Sequence, residues 1–258
     1  MIEALLPDVA VASDVFGPDG SATLYPEEAA LVARTTDLRR EEFTTVRACA
    51  RRALAALGLP PSPVLPGVRN VPQWPEGVVG SMTHCVDYRA AVLARDTDLA
   101  MVGIDAEPDL PLPEGVLESI ALPPELTWVR AGAGARLCRD RLLFSAKEAV
   151  YKTWYPLLGT ELDFDDADIS FRHEDGPSGG PRGTFTARIL RPQPGPDGRM
   201  VNEFNGRWLS ERGIIVTAIT VPAYRVANAT TAGFAIRPTW AQGRAQGSEL
   251  RSPLKNEG

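Results

Sequence analysis

Four residues in two short stretches have the types and spacing to do chemistry together. Asp105 and Glu107 end an apolar run, Met101-Val102-Gly103-Ile104, and Glu148 and Lys152 lie four apart in Ser145-Ala146-Lys147-Glu148-Ala149-Val150-Tyr151-Lys152. The apolar run reads as a buried strand. If the extended backbone continues through Ala106, Asp105 and Glu107 project to one side. Carboxylates held side by side are costly unless a cation lies between them. Oxygen-only ligands suit a hard divalent ion, Mg²⁺ first among them. Read alone, the same stretch also fits a strand running out into a solvated acidic loop. Glu148 and Lys152 stand in the order that favours a helical ion pair, a contribution of about 0.2–0.5 kcal/mol on a wet surface. They sit, however, among Phe144, Tyr151, Trp154 and Tyr155, so that face is expected to be covered, and covered charges need partners.

The elements that must position these groups follow from periodicity. A helix is predicted over about Ala135 to Tyr155, with Pro156 as its stop. Residues 78–84, 88–94 and 99–105 form three consecutive strands, an antiparallel meander by spacing. His84 ends the first of them beside Ser81 and Thr83, and two readings stay open: a satisfied structural histidine, or a phosphate held by small hydroxyls and an imidazole. Upstream, Pro26 opens a short helix, and a second helix runs from Thr36 or Asp37 to Leu57, with Phe43, Val46, Ala50, Ala53 and Leu57 at helical spacing. Its other face carries Arg39, Arg40, Arg47, Arg51 and Arg52; Arg40, Arg47 and Arg51 are nearly in line, and Arg39 is offset by about a fifth of a turn. A solvated face paired with Glu41 and Glu42 accounts for several of these arginines. Residues 59–77 read as an ordered crossing loop that buries Val64, Leu65, Val68 and Trp74, and residues 108–135 as loop around a short apolar segment. Strands follow at Asp168–Phe171, Gly183–Leu190 and Gly213–Val221. After Val221 apolar density falls, and most of 224–258 is expected to be disordered.

Composition bounds the function. The 258 residues are 44% hydrophobic and 23% charged, ordinary for a globular chain, and the net charge of −6 argues against a general nucleic-acid binder. Three scattered cysteines fit neither a disulfide scaffold nor a zinc site. No run has membrane-spanning length and the first residues lack a signal-peptide pattern, so a cytoplasmic protein is expected.

Taken together, Arg39 to Arg52, Val71-Pro72-Gln73-Trp74-Pro75, Gly80-Ser81-Met82-Thr83-His84, Gly103-Ile104-Asp105-Ala106-Glu107 and Phe144 to Lys152 resemble the single-chain 4′-phosphopantetheinyl transferases of the surfactin and enterobactin type, and their actinobacterial members above all. The resemblance covers about residues 30–220. It implies an α+β fold of two similar halves related by pseudo-twofold symmetry, residues 1–103 and 104–223, with coenzyme A bound between them. It implies transfer of 4′-phosphopantetheine from coenzyme A to a serine of an acyl or peptidyl carrier protein, with release of adenosine 3′,5′-bisphosphate, by a monomeric enzyme without nucleic-acid or membrane partners. The same resemblance makes Asp105, Glu107, Glu148 and the carbonyl of Ala106 the Mg²⁺ ligands. Glu148 becomes the base, Lys152 the stabiliser of the pyrophosphate, and Lys147 its helper. Ser81, Thr83 and His84 fall in the phosphate grip, and Arg39, Arg47 and Arg69 at the nucleotide end. A Mg²⁺-dependent nucleotide hydrolase using the same carboxylates, or an idle coenzyme A-binding module, are the alternatives.

Overall fold

The computed structural model describes residues 1–132, 134, 136–174 and 180–223; the expected disordered tail, 224–258, lies outside them. The chain builds two antiparallel sheets, each carrying one helix of 20 residues. β1 (Ala10–Phe16), β3 (Tyr88–Arg95) and β2 (Val78–Cys85) form the smaller sheet in that order. After the short α1 (Pro26–Leu31), α2 (Asp37–Ala56) starts where the Thr36 side chain accepts a hydrogen bond from the Arg39 amide. Its small inward residues, Cys49, Ala50 and Ala53, let it lie close on Ala91 and Leu93 of β3.

β4 (Leu99–Pro108) leaves this sheet. The expected three-strand meander is therefore wrong in its last step: β2 and β3 are a hairpin, but the second edge of β3 is taken by β1, paired from Ala10↔Ala94 to Phe16↔Tyr88. β4 pairs instead with β8 (Ile214–Pro222), in a five-stranded sheet ordered β4, β8, β7 (Met200–Glu211), β6 (Arg182–Pro194) and β5 (Ala167–Glu174). Its other edge meets β2 without a ladder. There the Ser81 hydroxyl accepts from the Ile104 amide at 3.1 Å and the Thr83 hydroxyl from the Ala106 amide at 3.0 Å. The expected boundary between residues 103 and 104 thus falls inside one strand.

α5 (Arg139–Leu158) packs Leu142, Ala146, Val150 and Trp154 on the inner face of the large sheet, against Phe185 and Ala187 of β6 (Arg182–Pro194) and Phe204 and Trp208 of β7 (Met200–Glu211). β5 (Ala167–Glu174) closes the far edge. On the opposite face Val102, Ile104 and Ala106 join Tyr88, Ala90 and Val92 of β3 in a second core. β4 is thereby covered on both sides, which is why it reads as a near-continuous apolar run.

Other differences have local causes. The 108–135 segment contains α3 (Val116–Ile120) and α4 (Pro123–Ala131), because Pro123 and Pro124 occupy a first turn, where a missing N–H is harmless, and Glu125 accepts from the Leu122 amide. α5 runs through Pro156 and ends at Gly159 in the left-handed region (φ 70°); the proline removes one bond in the last turn only. β7 has no counterpart in the expected strands, although Phe204, Gly206 and Trp208 alternate inward. Val68 is exposed rather than buried. Among the described residues no helix is long and apolar enough to cross a membrane.

Candidate functional site

The site forms where α5 crosses β4. Residues 103, 105 and 107 share the face toward the helix, and at Gly103 the helix lies directly on the strand: a Cβ there would run into Thr153 Oγ1 and the Ala149 carbonyl. From the position next to Thr153, Lys152 Nζ donates to Asp105 Oδ1 at 2.6 Å. Asp105 is fully buried and Glu107 nearly so, at 0% and 7% exposure. Ser145 and Thr217 fix the helix to the neighbouring strand through their hydroxyls, 3.0 Å apart, and Thr217 is the register partner of Asp105. Glu148, half-buried, lies one turn before Lys152 on the same stripe of α5. Asp105, Glu107, Glu148 and Lys152 therefore belong to one strand face and one helix stripe, as their spacing predicts.

Asp105 Oδ2 is buried and without a hydrogen-bond partner among the described residues. A charged oxygen in that condition is expensive, and a cation is the partner it fits. The carboxylates of Asp105, Glu107 and Glu148 offer oxygen donors only, so the fit is to a hard divalent ion such as Mg²⁺. Ala106 sends its side chain into the opposite core; its backbone runs between the two acidic residues.

A basic group gathers on α2, the end of β2 and the 59–77 crossing. Arg39 Nη1 lies 2.5 Å from His84 Nε2. His84 Nδ1 faces Glu42 Oε2 at 3.7 Å. Arg47 is buried with Nε on the Val64 carbonyl and its guanidinium over the Phe43 ring at 3.8 Å. Burial, opposed by Glu28 and assisted by the charges of Arg39 and Arg51, brings its pKa down to about 10. Arg47 remains charged at neutral pH among like charges, a setting that an anion relieves. Arg69, in the left-handed region at φ 55°, reaches Glu161 Oε1 at 2.6 Å, and Tyr151 of α5 donates to the other oxygen of Glu161. Burial, then Glu161, pushes the Tyr151 phenol up to about 12. The remaining arginines of α2 have other work. Arg51 holds the buried Glu28, while Arg40 and Arg52 make surface pairs with Asp37 and Asp19.

Three expected ligand-binding side chains are spent inside the protein. Lys147 is 3% exposed; its ammonium meets Glu125 at 2.9 Å and the carbonyls of Phe164 and Ala167. It faces the core side of α5 because position 147 lies about 100° round the helix from 148. Burial lowers its pKa, with Glu125 opposing. The Ser81 and Thr83 hydroxyls are buried against β4, and Thr83 also reaches Asp105 Oδ1 at 3.4 Å, so it orients the carboxylate. Sequence reasoning passed over Arg141, whose Nη1 donates to Glu107 Oε2 at 3.1 Å. The available signal was the stripe Arg141, Ser145, Glu148, Lys152, spaced by four, three and four.

Residues 27–94 match the model of the 4′-phosphopantetheinyl transferase N-terminal domain, and residues 101–194 that of the 4′-phosphopantetheinyl transferase superfamily. The chain is 54% identical over 229 residues to the 4′-phosphopantetheinyl transferase Svp of Streptomyces mobaraensis, covering 86% of this chain and 90% of that protein. It is 46% identical over 220 residues to Npt of Nocardia iowensis (85% and 99% covered) and 46% identical over 226 residues to PptT of Mycobacterium tuberculosis (86% and 98% covered), both 4′-phosphopantetheinyl transferases.

Proposed function

Because the chain belongs to the 4′-phosphopantetheinyl transferase superfamily, we propose that the meeting point of β4 and α5 is where it transfers 4′-phosphopantetheine from coenzyme A to the serine of an acyl or peptidyl carrier protein. The observation that carries this reading is the orphaned, buried Oδ2 of Asp105, with Lys152 fixed on the other oxygen of the same carboxylate. Asp105, Glu107 and Glu148, with the carbonyl of Ala106, would hold Mg²⁺, which when bound neutralises charge on the pyrophosphate. Glu148 takes the proton from the carrier's serine hydroxyl. The Lys152 ammonium, already held at the site by Asp105, lies ready for the negative charge on the departing phosphate. Arg39, His84, Arg47 and Arg69 bind the phosphates of the nucleotide end; planar guanidinium groups suit that work through paired hydrogen bonds. A cytoplasmic place of action fits carrier proteins of fatty-acid, polyketide or siderophore assembly.

The test is mass spectrometry of apo-carrier proteins after incubation with coenzyme A and Mg²⁺. The expected result is a gain of one phosphopantetheine group on a serine, together with adenosine 3′,5′-bisphosphate. Asp105→Ala and Glu148→Ala should each slow the reaction by more than about 100-fold, the upper end of losses for groups that merely orient ligands, while the circular dichroism stays native. Phosphopantetheine released from coenzyme A without any carrier would instead identify a hydrolase. Near-normal transfer by either variant at low Mg²⁺ would displace the site.

A further inference from the structure

We propose that Arg141 is a positioning residue that sets Glu107 against Glu148, and so the affinity of the site for its divalent ion; the inference rests on the carboxylate site described above. Arg141 lies in the first turn of α5 and uses all three of its nitrogens on the end of β4 and the segment that leaves it. Nη1 donates to Glu107 Oε2 at 3.1 Å, Nε to the Leu110 carbonyl at 3.0 Å and Nη2 to the Pro111 carbonyl at 2.8 Å. The ion pair with Glu107 is largely buried, at 15% and 9% side-chain exposure. Next to it Asp140 Oδ2 accepts from the Leu112 amide at 2.8 Å, so the first turn of α5 clips the same segment twice.

From this clip the helix runs seven residues, about 10.5 Å of rise, to Glu148. Its length is rigid, so the point where Arg141 grips the end of β4 fixes how far Glu107 stands from Glu148. The grip also gives Glu107 its own cation, as Lys152 does for Asp105. Only a planar fork serves three acceptors lying in different directions. A lysine ammonium keeps the charge but is a single point on a flexible stem. The carboxylate would then keep its countercharge and lose its alignment.

The experiment uses the full chain and Mn²⁺ as the probe ion, in the presence of coenzyme A, with free Mn²⁺ followed by its paramagnetic resonance signal. Arg141→Lys and Arg141→Met should bind Mn²⁺ about 10- to 100-fold more weakly, the range for residues that orient metal ligands. Coenzyme A binding without the ion, measured by calorimetry, should be unchanged. Excess Mg²⁺ should recover transfer by Arg141→Lys, raising its rate at fixed coenzyme A without changing KM for the carrier. Glu107→Gln should weaken Mn²⁺ binding, and adding Arg141→Met to it should cost nothing more, since the two act through one contact. A folded Arg141→Lys or Arg141→Met with wild-type Mn²⁺ affinity, beside a weakened Glu107→Gln, overturns the role of Arg141 alone. A purely structural part would lower the melting temperature and leave Mn²⁺ affinity untouched, which also overturns it. Wild-type Mn²⁺ binding by Glu107→Gln removes the carboxylate site itself, and this inference with it.

Discussion

Lys147 and Lys152 lie five residues apart on one helix and have opposite fates. Lys152 meets Asp105 at the mouth of the site; Lys147 is sealed against Glu125, each at 1% side-chain exposure. Removing one member of a buried pair strands the other charge, so Lys147→Ala should lose about 3–5 kcal/mol in a urea melt. Coenzyme A affinity, measured by calorimetry on the folded fraction, should not move. For Arg47 a change in ligand affinity is expected as well. If its guanidinium meets the 3′-phosphate of coenzyme A, Arg47→Ala should weaken that ligand by about 1.5–3 kcal/mol, the range for a hydrogen bond to a charged group. Dephospho-coenzyme A, which lacks the phosphate, should bind wild type and variant alike. Calorimetry with both ligands completes a double-mutant cycle, and equal losses for the two would place Arg47 away from that phosphate.

At the scale of elements, Gly103 is the point of closest approach, because α5 rests on its bare backbone. Gly103→Ala should cost about 1–3 kcal/mol from overpacking and, by lifting Lys152 and Glu148 from Asp105, most of the transfer rate; thermal unfolding and the mass-spectrometric assay would read the two losses separately. The elements that build this contact were legible in the sequence. The bounds of α2 follow from Thr36 and Gly58, β2 and β3 from their apolar runs, and the approximate course of α5 from its stripes. What was not legible depended on partners distant in the chain. Nothing in residues 99–105 says that β1, some 80 residues earlier, takes the edge of β3 and sends β4 to β8. Pro123 and Pro156 resemble breakers until it is known which turn of a helix they occupy. The placement of Asp105 with Glu107 on one strand face, and of Glu148 with Lys152 on one helix stripe, was readable because each pair obeys the period of its own element. Lys147 was misplaced because its partner, Glu125, sits on α4, a helix that the same proline rule concealed.

In the whole molecule the first residues act as a strap. Ile2 and Leu5 pack into the core shared by β3, β4 and β8, and Asp14 of β1 receives the Met1 ammonium and the Tyr88 hydroxyl, each at 2.7 Å. Burial alone would raise the Asp14 carboxyl, but these hydrogen bonds and the ammonium charge outweigh it and hold its pKa below the usual 3.8. Burial correspondingly pushes the Tyr88 phenol upward. For a carboxyl depressed in the fold, the stabilisation is complete above the unfolded value and lost as pH falls through the folded one. Asp14→Asn should therefore be less stable than wild type by about 1–3 kcal/mol at pH 7. That gap should close as pH drops below 3.8, as urea melts across pH would record.

The seam between the sheets, with its two hydroxyls on two amides, is an indexing device. Slide β2 by one residue and Gly80 and Met82, or Met82 and His84, would come opposite the amides of Ile104 and Ala106, with no hydroxyl among them. Slide it by two and one amide keeps an oxygen while the other faces Val79 or Cys85. Each mismatch leaves a buried donor bare, at about 1–3 kcal/mol apiece. An ordinary sheet writes such alignment into repeating backbone, where a shift of two residues restores every bond. Here it is written into side chains that do not repeat, so one setting is favoured over its neighbours. Asp105 lies between the two indexed positions, and the place of the orphaned oxygen along the strand is settled by a serine and a threonine that need never touch what it binds.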